Sequence, residues 1–334
     1  MTDRFRLLDL NEDCVKTVLQ CFNHFDLISF SLCSKKRLAN VRSLKLHIEL
    51  RLFCNGTFYA QIKLGGNKFS LYFREDGYDR KIAELDIRPR RLQVDYIEGS
   101  YIFEPEISHW RKSLFSGNDW LRHIMSVFNC DEIELLFVMS SKFEIDSLLD
   151  TVQNLNVSRT IISREVLKEY TERLLNALPR LENLTVDSLK FHAPSEYGVL
   201  LRNQQRLLVQ NGIKITLDIV LSVNSLAFTC FQWPIKDVNR FIKLWKRGAN
   251  PRLRHLCVSY YANHAEAVVF NENEVLRGVQ YQRMTRGTAR IFEMPEKRMK
   301  IVRGFDIIGK SGRKATVTLK NRELVSSFRM FIWE

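Results

Sequence analysis

Gly304-Phe305-Asp306-Ile307-Ile308-Gly309-Lys310-Ser311 satisfies the Gly-x-x-x-x-Gly-Lys-Ser pattern to the letter. In a phosphate loop these residue types divide the work: backbone amides cradle the phosphates, Lys reaches the terminal phosphates and Ser binds magnesium. Such a loop must follow a strand and open a helix. Here Phe305, Ile307 and Ile308 read as the strand itself, and Ala315, Val317 and Leu319 alternate as a second strand beyond Gly309-Lys310-Ser311-Gly312, so the spacing predicts a hairpin turn. After Leu319 no apolar strand ends in an Asp that could hold the metal. Other reactive residue types are scattered. His109 and His123 flank a helix without a ligand cluster, and neither His-Glu-x-x-His nor Gly-x-Ser-x-Gly occurs. Glu104 with Glu106, and Asp131 with Glu132, read as solvated acids in loops. Seven cysteines (Cys14, Cys21, Cys33, Cys54, Cys130, Cys230, Cys257) are odd in number and never at Cys-x-x-Cys spacing. They read as core thiols, not as a disulfide framework or a zinc site. No catalytic residue, metal or cofactor is expected, and the chain reads as a non-enzyme.

The remaining chemistry is charge. The net charge is +13, and residues 236 to 254 carry seven Lys or Arg against one Asp. Between Pro234, which can start a helix, and Gly248, which can end one, Val238, Phe241, Ile242 and Trp245 fall on one face. Lys236, Arg240, Lys243 and Arg247 line up near the opposite face, as a solvated row or as a contact for an acidic or phosphate-bearing partner. A nucleic-acid-binding module using this helix and the C-terminal hairpin is the alternative function, because a clustered basic face releases counterions from a phosphate backbone.

These residues need elements to hold them. At 334 residues, with 45% hydrophobic residues and 22 Phe, the chain has material for a small module plus a large domain. No apolar run after Met1-Thr2-Asp3-Arg4 could serve as a signal peptide and none is long enough to span a membrane, so cytoplasm or nucleus is expected. The fold class expected is α+β. Asn11, Glu12 and Asp13 suit a helix start, and Cys14, Val15, Val18, Leu19 and Phe22 recur on one helical face. Asn23-His24 breaks that helix. Asp26 is expected to cap a second one carrying Leu27, Ile28, Phe30 and Leu32, and Ser34 a third running through Leu38 and Val41 toward Leu44 and Leu46. Leu44 to Leu50, Phe58 to Leu64 and Phe69 to Phe73 alternate with polar residues and are separated by Asn55-Gly56 and Gly65-Gly66-Asn67, the pattern of a β meander. Gly77, Pro89, Gly99 and Pro105 punctuate strand and loop leading into a helix near Trp110 to Phe128.

From about residue 131 short apolar strands recur at Ile133 to Phe137, Thr160 to Ile162, Leu181 to Val186, Arg206 to Val209, Leu226 to Phe231 and Leu253 to Val258, each followed by a helix or loop. Leu181-x-x-Leu184-x-Val186 and Leu253-x-x-Leu256-x-Val258 have the outline of a leucine-rich repeat. The expected body is an irregular leucine-rich-repeat-like β-α domain, with a doubly wound α/β domain as the alternative.

Two segments resemble a known family. Leu8-Asp9-Leu10, a gap of about fifteen residues, and Phe25-Asp26-Leu27-Ile28-Ser29-Phe30-Ser31-Leu32-Cys33-Ser34-Lys35 resemble an F-box, although the family usually has Leu-Pro where this chain has Leu10-Asn11. Asp237-Val238-Asn239-Arg240-Phe241-Ile242-Lys243-Leu244-Trp245 followed by Gly248-Ala249-Asn250-Pro251-Arg252-Leu253, with Phe270-Asn271-Glu272-Asn273-Glu274-Val275-Leu276-Arg277-Gly278-Val279 beyond, is similar to the type-2 F-box-associated domain of the large nematode F-box families. The resemblance implies an F-box over 1–46, a β-rich connection over 47–108 and an F-box-associated substrate-recognition domain over 109–334. Within that domain 217–280 is the most specific part and 300–334 a C-terminal hairpin. It also implies the substrate-recognition subunit of a Skp-cullin-F-box ubiquitin ligase. Leu8, Leu10, Val15, Leu19, Phe25, Leu27, Ile28 and Leu32 would face the Skp-type adaptor, and through it the cullin. Lys236, Arg240, Lys243 and Arg247 would face an unknown target protein, with nucleic acid and membrane not expected as partners.

Overall fold

The computed structural model describes residues 10–55, 57–75, 92–98, 108–111, 115–178, 182–187, 198, 201–210, 215–261, 268–294, 297–310 and 312–333. The chain divides into two compact units, Met1–Arg180 and Leu181–Glu334.

The first unit begins with helices α1 (Glu12–Gln20), α2 (His24–Leu32) and α3 (Lys35–Arg42). Strands β1 (Glu49–Cys54), β2 (Phe58–Leu64), β3 (Asn67–Glu75), β4 (Leu92–Glu98) and β5 (Ser108–Arg111) follow as an antiparallel succession. The chain then alternates: α4 (Gly117–Val127), β6 (Glu132–Ile133), β7 (Leu135–Val138), α5 (Ile145–Val152), β8 (Asn156–Val157), β9 (Arg159–Ile162) and α6 (Lys168–Ala177). Strand β1 joins the two halves, pairing antiparallel with β2 and parallel with β7, which in turn runs parallel to β9. Register explains the core. Leu50, Ile62 and Phe69 lie in one row, Leu52, Ala60 and Leu71 in the next, and Cys54, Phe58 and Phe73 in a third. All nine are buried, so the period-two pattern puts one side of the meander inward. Helix α4 starts at a capping box in which Ser116 and Asp119 satisfy each other's backbone amides, and it buries Trp120, Leu121 and Ile124.

In the second unit β10 (Asn183–Val186), β11 (Gln204–Val209), β12 (Ser225–Phe231) and β13 (His255–Tyr261) run parallel in sequence order. Helix α7 (Leu217–Ser222) connects β11 to β12, and α8 (Ile235–Lys246) connects β12 to β13. Next come α9 (Glu272–Val275), β14 (Gln282–Arg283), the hairpin β15 (Arg290–Met294) and β16 (Lys297–Ile301), and finally β17 (Phe305–Ile308), β18 (Lys314–Asn321) and β19 (Val325–Ile332). The last strand returns to pair antiparallel with β13, giving the order β10-β11-β12-β13-β19-β18-β17-β14. Leu184, Leu207, Phe228, Leu256, Phe328 and Val317 are buried on one face. Helices α7 and α8 pack side by side as one layer, whereas a doubly wound sheet would carry helices on both faces.

Two buried asparagines tie this layer down. Asn239 of α8 donates to the Val275 and Arg277 carbonyls (2.8 and 3.0 Å). Asn250 donates to the carbonyls of Val220 and Val223 (2.8 and 3.2 Å) and accepts from the Leu253 amide (3.2 Å). Each therefore closes buried backbone groups that would otherwise lack partners.

The structure differs from the sequence expectation at several boundaries. Helix α2 starts at His24, because Asn23 and not Asp26 is its cap, accepting from the Asp26 amide at 2.8 Å. Helix α3 stops at Arg42, where Lys45 takes a φ of 53° and turns the chain, so Leu44 and Leu46 belong neither to the helix nor to β1. Trp110 lies in β5 and not in the helix that follows. The expected C-terminal hairpin is a three-stranded meander, its third strand β19 being buried between β18 and β13. The expected punctuation at Gly77, Pro89, Gly99 and Pro105 falls outside the described residues. Among the described residues, no helix is long and apolar enough to cross a membrane.

Candidate functional site

The N-terminal helices are set by their caps. Asn11 accepts from the Cys14 amide at 2.8 Å and thus starts α1 without the family's Pro, and Ser34 accepts from the Arg37 amide at 3.3 Å to start α3. Val15, Leu19, Leu27, Ile28 and Val41 of these helices are buried. One side of α2 is spent against the first unit's own body. Phe25 stacks on Trp110 with ring centroids 4.5 Å apart, and His24 stacks on Phe69 at 5.0 Å. Trp110 Nε1 donates to Ser29 Oγ (2.7 Å), while Ser31 Oγ and His123 Nε2 are 2.8 Å apart. His123 is therefore a packing partner of the helices.

Of the eight side chains assigned to the adaptor, Leu8 lies outside the described residues, and Val15, Leu19, Leu27 and Ile28 are buried. Leu10, Phe25 and Leu32 are half-buried, with Phe25 turned to Trp110. Two apolar side chains not assigned a role from sequence also remain half-exposed. Phe22 and Phe30 meet edge to face at 6.0 Å, and the Arg37 guanidinium lies 5.2 Å over Phe30. Their positions eight apart on neighbouring helices were visible, but not which side of each helix the body would cover.

The thiols divide by burial. Cys54 and Cys230 are buried, and burial pushes their pKa values up, so they remain protonated core groups. Cys14, Cys21 and Cys33 are exposed on the N-terminal helices, which corrects the reading of every cysteine as a core thiol.

In the second unit α8 buries Val238, Phe241, Ile242 and Trp245. Lys236, Arg240 and Arg247 are exposed on its other side and Lys243 is half-buried. The row is partly engaged: Arg240 pairs with Asp237 at 3.2 Å, and the Lys243 side chain lies over Gly278.

The phosphate-loop match is a β hairpin. Phe305 pairs with Val317 and Ile307 with Ala315 in antiparallel register, and no helix follows. Its amides are occupied, Gly309 N donating to Arg313 O (2.9 Å), Lys310 N to Lys246 O (2.7 Å) and Gly312 N to Gly309 O (3.0 Å). Gly304 is required for packing, since a Cβ there would lie 2.7 Å from the Val317 carbonyl oxygen. Gly304→Ala should therefore cost about 1 to 3 kcal/mol in urea unfolding through a forced backbone shift; an unchanged midpoint would contradict the close approach. Of the remaining sequence candidates, Asp131 and Glu132 are exposed, while Glu104, Glu106 and the side chain of His109 lie outside the described residues. Among the described residues no group of three or more His, Cys, Asp or Glu could hold a metal ion.

Three short helices within residues 12–42, ahead of an α+β body, fit an F-box. Comparison with protein families makes this particular: residues 7–47 match the F-box domain and residues 197–258 match the F-box associated family. The chain thus contains an F-box followed by a type-2 F-box-associated domain. No curated protein and no solved structure matches it.

Proposed function

We propose that this protein is the substrate-recognition subunit of a Skp-cullin-F-box ubiquitin ligase, a non-catalytic receptor working in the cytoplasm or nucleus. The observation that carries this reading is the pair of domains in family order, F-box first and F-box-associated domain second. The mechanism is proximity: the N-terminal helices hold the adaptor, the C-terminal domain holds the target, and the rest of the ligase brings the charged conjugating enzyme to the target's lysines. The domain division that goes with it is an F-box over 1–46, a β-rich connection over 47–108 and a leucine-rich-repeat-like recognition domain over 109–334. The half-exposed apolar side chains Leu10, Phe22, Phe30 and Leu32 are the available adaptor contacts, resting on the buried Val15, Leu19, Leu27 and Ile28. The row Lys236, Arg240, Lys243 and Arg247 is one basic surface offered to a target.

The test is copurification of a Skp-type adaptor with the full chain. Leu10→Asp with Leu32→Asp should abolish it, because a half-exposed apolar contact cannot take a carboxylate without loss of the interface. Leu27→Asp would be a poor test, since Leu27 is buried and its loss would unfold the helices themselves. Adaptor binding should also protect Cys14 from maleimide. Retained copurification by the folded double variant, with Cys14 equally reactive, would overturn the assignment.

A further inference from the structure

Strands β15 and β16 form a two-stranded sheet of their own, and among the described residues they pair only with each other. Side chains hold this hairpin down. Phe292 and Ile301 are its buried residues, and they close a small cluster with Phe331 of β19 and the half-buried Trp333. Phe292 meets Phe331 and Trp333 edge to face, with ring centroids 5.1 and 5.5 Å apart. The Arg290 fork on Asp306 ties β15 to the main sheet. Thr285 to Ala289, which lead into β15, and Val302 and Arg303, which lead out of β16, are exposed. The hairpin can therefore lift as a unit without pulling either connection out of a core.

The imidazole of His255 packs against this strap. Its ring centroid is 6.1 Å from that of Phe292 and 5.1 Å from that of Phe331, its register partner on β19. It is 6% exposed, and neither ring nitrogen has a hydrogen-bond partner. The ring thus serves as an apolar plate, a role open only to its neutral form, because an imidazolium has two N–H donors and a charge to satisfy. The charges that act on it are all positive: Arg329 of β19, Arg206 of β11, which lies across Ala227 in the same row of the sheet, and Lys297 of β16. The carboxylates nearby in register are engaged elsewhere, Asp306 by Arg290 and Lys314, and Glu293 of β15 by Arg298. Burial first, then the charges of Arg329, Arg206 and Lys297, bring the His255 pKa from its ordinary 6.5 down to about 3.

We propose that the β15–β16 hairpin is an acid-released strap, latched on the second unit's sheet by the neutral ring of His255 and opened by a proton on that ring. Lifting the strap gives the imidazole water, so the open form takes the proton near the ordinary histidine pKa while the closed form excludes it. The closed form therefore keeps its full stability above pH 6.5 and loses it as pH falls from 6.5 toward 3. Asp306 acts in a separate window: with an ordinary pKa of 3.8 and a closed one of about 2, it stays charged in either form down to about pH 5. Opening uncovers Phe292 and Phe331 together and frees one side of Trp333, an aromatic surface that the strap hides at neutral pH. This device goes beyond the receptor reading and stands without it.

Hydrogen exchange of the full chain, read by mass spectrometry on peptides covering 290–301 and corrected for the intrinsic pH dependence of amide exchange, measures the opening. The opening constant should be about thirtyfold larger at pH 5 than at pH 7.5, the ratio set by a histidine pKa that falls from 6.5 to about 3 on closing, while peptides covering β18 keep their protection. His255→Phe, which keeps a ring between Phe292 and Phe331, should reduce that ratio to less than about threefold, and His255→Gln, neutral at every pH, should do the same from a more open baseline. Asp306→Asn should leave the ratio in place. Near-UV circular dichroism shows that each variant is folded. An acid rise that survives in both His255 variants would assign it to another group. A flat profile in the unmodified chain, or a loss of protection shared equally by β18, would leave no strap to release; each of these results overturns the proposal.

Discussion

Replacing Phe241 with alanine should lower the unfolding free energy of the C-terminal unit by about 3 to 5 kcal/mol, the range for deleting a buried aromatic side chain. Phe241 is fully buried, sits 6.1 Å from the Trp233 ring in an edge-to-face contact, and shares its helix face with Val238, Ile242 and Trp245. Removal leaves a cavity beneath α8 that the helix cannot collapse into, because the Asn239 side chain holds it to the Val275 and Arg277 carbonyls and the Lys246 carbonyl accepts from the Lys310 amide. Urea unfolding followed by Trp fluorescence reads the loss. Arg240→Ala, one residue earlier on the exposed side, should change stability by no more than about 0.5 kcal/mol. A loss below about 1 kcal/mol for Phe241→Ala would show that α8 is not packed as described.

Asp306→Ala should cost about 3 kcal/mol, the scale for removing one partner of a buried ion pair. The carboxylate has 10% of its side chain exposed, receives both nitrogens of the Arg290 fork at 2.7 and 2.8 Å, and pairs with Lys314 Nζ at 3.0 Å. Thr316 donates to it at 2.7 Å while accepting from Trp333 Nε1 at 2.9 Å and Arg290 at 3.1 Å, so the hydroxyl's one donor and two acceptor sites are all used. Alanine would strand Arg290 and Thr316 together. Burial by itself would raise the Asp306 pKa, but the hydrogen bonds from Arg290, Thr316 and Lys314 outweigh it and bring the group from its ordinary 3.8 down to about 2. A depressed carboxylate pKa contributes stability that is complete above the unfolded value and is lost as pH falls through the folded one. The protein should therefore lose about 1 to 2 kcal/mol from this group between pH 5 and pH 2, and Asp306→Asn should lack that component of the acid slope. Parallel slopes for the two proteins would remove Asp306 from the account.

Both residues lie in segments whose sequence patterns suggest other roles. Asp306 falls inside the phosphate-loop match and Phe241 inside the basic helix, yet each serves packing. The turn chemistry after Ile308 and the alternation of Ala315, Val317 and Leu319 made the hairpin legible, because hairpins are local. The same local physics made α8 legible from Pro234 to Gly248, and the parallel strands from their short apolar runs. The return of β19 to pair with β13 was not legible, since that pairing joins segments about seventy residues apart.

The N-terminal helices divide in the same way. Their existence, two of their three caps and their family likeness were set by the sequence alone, because capping and helical periodicity act within a few residues. Which of their apolar side chains remain available for a partner was decided only by tertiary structure. Phe25 and Ser29 are committed to Trp110, and the latter hydrogen bond joins residues 81 positions apart. An apolar side chain carries the same transfer free energy whichever surface removes it from water, so only the packed chain decides whether that surface is its own or another protein's.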